Sequence, residues 1–181
     1  MSIGRDEEIK GGFSLWHYFN AILLLSITGL GMYYWGRLPD EIPVHFGLDG
    51  TPDRWSSRGG ETLLIFILPW GMTLFMYLIS LTANSVRKHP QAMNIPNKEK
   101  FLALSPAQQA PFFDALKTMF YSTAAALNLL FLLIAYGMMQ VAMGVCDKLP
   151  VWGIWPGLGL IIIVAVVNTI RLMRISYRIT R

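Results

Sequence analysis

Four long apolar stretches constrain this chain most, because they leave few alternatives to a bundle of membrane-spanning helices. They cover about residues 13–35, 61–83, 118–143 and 151–173, and polar connections separate them. An α-helix rises about 1.5 Å per residue, so each stretch reaches the roughly 30 Å needed to cross the hydrocarbon core of a bilayer. We therefore predict an all-α membrane protein with four transmembrane helices, forming one domain over residues 1–181.

The composition agrees with membrane spans rather than with a soluble core. Hydrophobic residues make up 54% of the chain and charged residues 14%, whereas a soluble domain has about 25% charged residues. The basic residues lie beside the apolar stretches and form no patch interleaved with aromatic residues, which argues against nucleic-acid binding. Cys146 is the only cysteine, so no intrachain disulfide can form. The expected partner is the lipid bilayer.

The distribution of basic residues predicts an orientation. If the N-terminal tail, the connection at residues 84–117 and the C-terminus share one side, that side has eleven lysines and arginines and the other has four. Cytoplasmic loops are the ones enriched in these residues. Both termini and the connection are therefore predicted to be cytoplasmic. The first apolar stretch is longer than the core of a signal peptide and follows acidic residues, so we expect it to be retained.

The polar segment between the first two stretches, residues 36–60, is predicted to form a small ordered extracytoplasmic cap. Ile42 to Gly47 has the composition of a short extended piece, and Asp49-Gly50 is a turn signal. The following residues then lead back towards the membrane. These features predict a hairpin-like cap rather than a disordered linker.

Five side chains of the cap are the candidate contacts for a ligand or partner: His45, Asp49, Asp53, Arg54 and Trp55. Recognition needs only a rigid exposed surface, which a turn-rich segment of this composition provides. A purely structural cap, in which Asp53 and Arg54 pair locally, is the alternative. The sequence alone leaves both interpretations open.

Metal binding and catalysis are the other chemistries open to the cap. His45 with Asp40, Glu41, Asp49 or Asp53 offers imidazole and carboxylate ligands, which suit zinc or a similar ion. The spacing of the histidine and the last two acids would align them only on a helix, and the intervening glycines and proline oppose a helix. Neither an HExxH nor a GxSxG motif occurs. We predict no metal site, no cofactor and no catalytic residue, with a metal-dependent hydrolase as the alternative.

The connection at residues 84–117 contains signals for a helix start. Ser105-Pro106 with Gln108 predicts an N-cap, a proline at the first helical position and a capping box. Pro111 is expected to break or bend the helix that follows. We predict an interfacial helix that runs into the third span.

Within the spans, three residues are candidates for helix packing. Gly153 and Gly157 form a GxxxG pair, and Asn128 lies near the middle of the third span, where an amide can bond to another span. A small transporter is a further hypothesis, for which Asn128 and Asn168 would have to line a cavity. The charge-free middle of every span argues against coupled proton transport.

The cap also carries the signature of a known family. Its elements are a proline, an IP-x-HF element, a glycine and a PD-x-W element, here Pro39, Ile42-Pro43, His45-Phe46, Gly50, Pro52-Asp53 and Trp55. This pattern, with Asn94 to Leu104, resembles the bacterial membrane family of unknown function whose domain also forms the N-terminal part of Sdp-type toxin-immunity proteins. The resemblance implies a small multi-pass protein of the bacterial cytoplasmic membrane, and it supplies no catalytic residues.

These observations favour a non-enzymatic binding or sensing protein of toxin-immunity type, which recognises an extracytoplasmic peptide or other ligand through the cap. A structural or accessory subunit is the alternative, in which Gly153 and Gly157 would pack against another membrane protein.

Overall fold

A computed structural model describes residues 14–181. The predicted polar tail at residues 1–12 and Phe13, the predicted start of the first span, lie outside the described residues. The described chain is mostly helical, with one two-stranded antiparallel sheet. In chain order the elements are α1 (Leu15–Trp35), β1 (Glu41–Phe46), β2 (Pro52–Ser57), α2 (Gly60–Lys88), a 3₁₀ turn (Pro90–Ala92), α3 (Lys98–Ala103), α4 (Pro106–Ala142) and α5 (Val151–Ile179).

Helices α1, α2, α4 and α5 are long and apolar enough to cross a membrane, which confirms the four predicted apolar helices and indicates a membrane protein. Three of them extend beyond the predicted spans: α2 continues to Lys88, α4 begins at Pro106 and α5 continues to Ile179. Apolar composition marks the part of a helix suited to lipid. Helix formation is cooperative, so the helices continue into the polar sequence beside it.

The start of α4 agrees with the capping prediction. The backbone N–H of Gln108 donates to the Ser105 hydroxyl at 3.4 Å, and the Ser105 N–H donates to the Gln108 side chain at 2.9 Å. The expected break at Pro111 does not occur, since α4 is one helix that runs into the third apolar stretch. Pro111 lies near the helix start, where only the carbonyl of Ala107 in the first turn loses a partner.

Helix α4 is the centre of the bundle. It packs against α1, α2 and α5, whereas α1 and α2 contact each other only slightly. In the most apolar stretch of each helix, 56% of the residues of α4 are buried, compared with only 11% of those of α5. Small residues make this possible, since Ala124, Ala125, Ala126, Ala135 and Gly137 of α4 are all buried and let the neighbouring helices approach closely.

Two apolar clusters lie at opposite ends of the bundle. The first is at the end that carries the sheet, which we call the hairpin end: Ile27, Leu38, Ile42, Phe66, Ala135, Met138 and Met139. The second is at the other end, which we call the connection end because residues 89–105 lie there: Ile95, Phe101, Phe112 and Phe113. The three phenylalanines of the second cluster stack edge to face.

Hydrogen bonds hold the C-terminal part of α5 against the connection. The Ser176 hydroxyl donates to the carbonyl of Pro96 at 3.1 Å, and the Asn97 amide donates to the Thr180 hydroxyl at 3.1 Å. The connection and the C-terminus therefore share one end of the molecule, as the count of basic residues assumed.

Candidate functional site

The predicted cap forms a β-hairpin, residues 41–57, that closes one end of the bundle. Strand β1 pairs antiparallel with β2, and two irregularities in the register lie next to His45. At the tip, the N–H of Gly47 donates to the carbonyl of Thr51 at 2.8 Å, and Gly50 takes a positive φ of 81°. The Asp-Gly turn signal thus marks the actual turn, because glycine adopts this conformation without steric cost.

One strand of the hairpin anchors it to the helices. Ile42 and Pro43 of β1 are buried, and Ile42 belongs to the apolar cluster of the hairpin end. Strand β2 lies outside β1, and its side chains are exposed or half-buried. A fully buried isoleucine contributes about 1.5–3 kcal/mol relative to an exposed one, so β1 is fixed to the bundle by its apolar face.

Arg58 holds the base of the hairpin to the end of α1. Its guanidinium donates to the carbonyls of Trp35, at 3.2 Å, and Leu38, at 3.0 Å. The guanidinium also lies 3.7 Å from a carboxylate oxygen of Asp40. Arg58 therefore satisfies carbonyls left open where α1 ends, and it joins the two sides of the hairpin base.

The tip of the hairpin docks on the loop between α4 and α5. The N–H of Leu149 donates to the carbonyl of Gly50 at 2.8 Å, and Lys148 lies 2.9 Å from Asp49. The Thr51 hydroxyl also donates to Asp49, at 2.5 Å. The Thr51 hydrogen bond first, and then Lys148, hold the pKa of Asp49 well below its ordinary value of 3.8.

The two strands of the hairpin carry the remaining predicted contacts. The Nδ1 of His45 donates to Asp53 at 2.6 Å, and both side chains are more than half exposed. Arg54 lies 3.6 Å from Glu61 at the start of α2. Asp53 and Arg54 thus both pair locally, each with another residue. Trp55 is 48% exposed, a large aromatic surface open to a partner.

Four of the five predicted contact residues are exposed on the two strands, and we call this group the hairpin face: His45, Asp53, Arg54 and Trp55. The fifth, Asp49, lies at the tip and is engaged by Thr51 and Lys148. His45 and Asp53 are two potential metal ligands, and residues 14–181 contain no group of three or more histidine, cysteine, aspartate or glutamate side chains placed to hold an ion. The hairpin face offers a histidine–aspartate pair, a cation and an indole.

Two residues of the site were missed from the sequence. Arg58 closes the hairpin base, and Lys148 binds the tip from a loop 99 residues along the chain from Asp49. Arg58 follows β2 directly, so its position at a hairpin end was a usable signal. Nothing in the local sequence connects Lys148 with the cap.

A second group of polar side chains joins three helices inside the bundle. Asn128 of α4 is 1% exposed, and its amide donates to the side chains of Asn20 in α1 and Thr73 in α2, both at 2.9 Å. Asn20 in turn donates to backbone carbonyls of Trp16 and Tyr121. Asn128 therefore forms hydrogen bonds to two other helices. Its bonds are all to other parts of the bundle.

The remaining predicted packing residues behave differently from one another. Gly157 packs against Leu130 of α4, since an added Cβ would lie 2.9 Å from the leucine side chain. At Gly153, no atom of residues 14–181 lies within 4 Å of the corresponding position. Asn168, a residue of the transporter hypothesis rather than of helix packing, is 8% exposed and donates to the Ser122 hydroxyl of α4 at 3.0 Å. Of the GxxxG pair, Gly157 thus packs against another helix of the chain, and Gly153 leaves an open surface on α5.

The similarity of this chain to known proteins includes the hairpin and parts of its flanking helices. Residues 22–73 match the profile of a domain of unknown function, DUF1648, and these residues cover most of α1, the hairpin and the first half of α2. An uncharacterized protein of Archaeoglobus fulgidus is 32% identical over 76 residues, which is 42% of this chain and 40% of that protein. No solved structure matches. The chain is thus similar to proteins of an uncharacterised family with membrane helices.

Proposed function

We propose that the chain spans the cytoplasmic membrane of a bacterium four times, with the hairpin end outside and both termini in the cytoplasm. Four apolar helices support the insertion, and the excess of basic residues at the connection end supports the orientation. In this arrangement the hairpin lies outside the bilayer, and its exposed side chains face the extracytoplasmic space.

In this proposal the protein is a non-enzymatic binding or sensing protein, and the hairpin face is its ligand-binding surface. The observation that carries this function is the fixation of the hairpin at three places. Ile42 is buried in the bundle, Arg58 fixes the base and Gly50 binds Leu149 at the tip. A surface that is already rigid loses little conformational entropy on binding, which favours recognition.

The ligand class we propose is an extracytoplasmic peptide, as in a protein of toxin-immunity type. The hairpin face combines Trp55, Arg54 and the His45–Asp53 pair, so it offers apolar, cationic and hydrogen-bonding contacts to a peptide. The family resemblance supports the same class, because the residues that carry it lie in the hairpin.

A protection assay tests this function. A bacterial host that expresses the chain is challenged with a panel of secreted antibacterial peptides, and survival is compared with that of cells carrying an empty vector. We expect improved survival against at least one peptide. Trp55→Ala and His45→Ala should each remove the protection while the amount of protein in the membrane stays the same, because both truncate the proposed contact surface.

Trp152→Ala is the matched control, since Trp152 is 80% exposed at the hairpin end but lies outside the hairpin. This variant should protect as well as the wild type. Protection that survives both hairpin substitutions, or the absence of protection against every peptide, contradicts the proposal.

An accessory subunit is the second candidate, and the open half of the GxxxG pair favours it. Helix α5 is the least buried of the four long helices, and Gly153 faces open space. In this case Gly153→Leu should abolish co-purification of a stoichiometric membrane partner. Gly29→Leu is the control, because Gly29 also has nothing within 4 Å but lies on α1.

A further inference from the structure

Helix α5 ends in a row of arginines. In the proposed membrane arrangement, this row lies at the level of the lipid headgroups. Residues 151–170 contain no charged side chain, and at about 1.5 Å per residue they extend roughly 30 Å, the thickness of the hydrocarbon core. Arg171 is the first charge after this stretch, followed by Arg174 and Arg178. Spacings of three and four residues place the three guanidinium groups on one face of the helix.

The three arginines make no hydrogen bond or ion pair with any residue from 14 to 181. Within residues 14–181, no carboxylate pairs with Arg171, Arg174 or Arg178, although Glu99 and Asp114 lie at the same end of the molecule. All four cations of the hairpin end, by contrast, bind a protein group: Arg37, Arg54, Arg58 and Lys148. The row on α5 therefore presents three charges that no carboxylate of the described residues compensates.

The arginine row also borders a groove with an apolar part. The groove has a volume of about 460 Å³ and is lined by the three arginines together with Val167, Ile170 and Ile175. Val167 and Ile170 precede the first arginine and so lie on the side of the membrane core. Apolar side chains followed by guanidinium groups match the two parts of a phospholipid, an acyl chain and a phosphate. Arginine suits this because its planar fork binds phosphate oxygens in pairs.

We propose that this face of α5, from Val167 to Arg178, binds an anionic phospholipid. The arginines hold the phosphate headgroup, and the acyl chain lies along Val167 and Ile170. Charge complementarity selects this occupant, because a neutral lipid would leave the three cations uncompensated. The inference rests on the proposed membrane insertion but not on the proposed binding function of the hairpin.

Native mass spectrometry of the full chain, released from bilayers of equal phosphatidylglycerol and phosphatidylcholine, tests this site. We expect the wild type to retain phosphatidylglycerol in preference to phosphatidylcholine. Arg171→Gln, Arg174→Gln and Arg178→Gln combined should lower that preference by at least about tenfold, because each base near an anionic surface contributes measurably to binding. The matched control combines Lys88→Gln, Lys98→Gln and Lys100→Gln, which remove the same charge at the same end and should keep the preference.

A second triple variant guards against an effect on folding. Replacing the three arginines by lysine keeps the charge, so this variant should retain most of the preference. The proposal is overturned if the wild type shows no preference for phosphatidylglycerol. It is also overturned if the two glutamine variants lose this preference equally, or if the variant that keeps the charge loses it. Displacement of the lipid by excess inorganic phosphate would also overturn it in favour of a free anion. Failure of insertion is distinguishable, since the protein would then leave the membrane on alkaline washing.

Discussion

Gly50 connects the hairpin to the rest of the molecule through its backbone, and the site has no room for a side chain. A Cβ at this position would clash with the carbonyl oxygen of Leu149, and the φ of 81° is unfavourable for other residues. We expect Gly50→Ala to lower the free energy of unfolding by roughly 2 kcal/mol, from backbone strain and from displacement of the loop. Equilibrium unfolding in detergent micelles measures this change.

Gly36→Ala is the control for that substitution. Gly36 has a negative φ of −77° and nothing within 4 Å of an added Cβ, so the stability should change by less than about 0.5 kcal/mol. Equal effects at the two glycines would show that contact with Leu149 does not stabilise the hairpin. The sequence predicted the turn at Gly50 from its neighbours. It could not predict Leu149, because a backbone contact between distant segments leaves no side-chain pattern.

Asp49 makes the tip contact dependent on pH only in acid. Its pKa is lowered in the folded chain by Thr51 and Lys148, so its contribution to stability is complete above the ordinary value of 3.8 and is lost as the pH falls towards the lowered folded value. The difference in thermal midpoint between the wild type and Asp49→Asn should therefore be constant above about pH 4 and shrink below it.

Thr51→Val should move that loss to higher pH, because it removes the largest cause of the lowered pKa. Thr169→Val is the control, since Thr169 bonds only to a carbonyl of its own helix. A midpoint difference that already shrinks between about pH 5 and 7 would assign the effect to another group.

Among the helices, Asn128 forms the polar junction of α1, α2 and α4. The sequence indicated that an amide in an apolar stretch bonds to another span, and the structure gives its partners, Asn20 and Thr73. These partners could not be derived from the sequence, because a helix that is apolar on all sides carries no pattern that fixes its rotation.

A double-mutant cycle on Asn20→Ala and Asn128→Ala measures this junction. We expect a coupling energy of about 0.6–1.7 kcal/mol, since interhelical hydrogen bonds in membranes are worth this much on average and at most. The same cycle on Asn128 with Thr169→Ala is the control and should give no coupling, because Thr169 does not contact Asn128. Additive effects of Asn20 and Asn128 would mean that their 2.9 Å contact does not hold the helices together.

At the scale of the whole molecule, the sequence predicted which segments share an end but not which helix is central. The alternation of four spans groups the connection with the C-terminus, where Ser176 contacts Pro96, and the contact of Gly50 with Leu149 groups the hairpin with the α4–α5 loop. Mean hydropathy does not distinguish α4 from α2 and α5, because all three helices are similarly apolar. The run of small residues in α4 does distinguish it, because small side chains allow three neighbouring helices to approach one helix.

Cys146 makes the predicted orientation directly measurable. It is the only cysteine of the chain, it is exposed, and it lies in the α4–α5 loop at the hairpin end. If that end is extracytoplasmic, a membrane-impermeant maleimide should label Cys146 in intact cells. The control combines Cys146→Ala with Gln91→Cys, an exposed position at the connection end, and should be labelled only after the membrane is permeabilised. Labelling in the reverse order would place the hairpin in the cytoplasm and remove an extracytoplasmic peptide from the possible ligands.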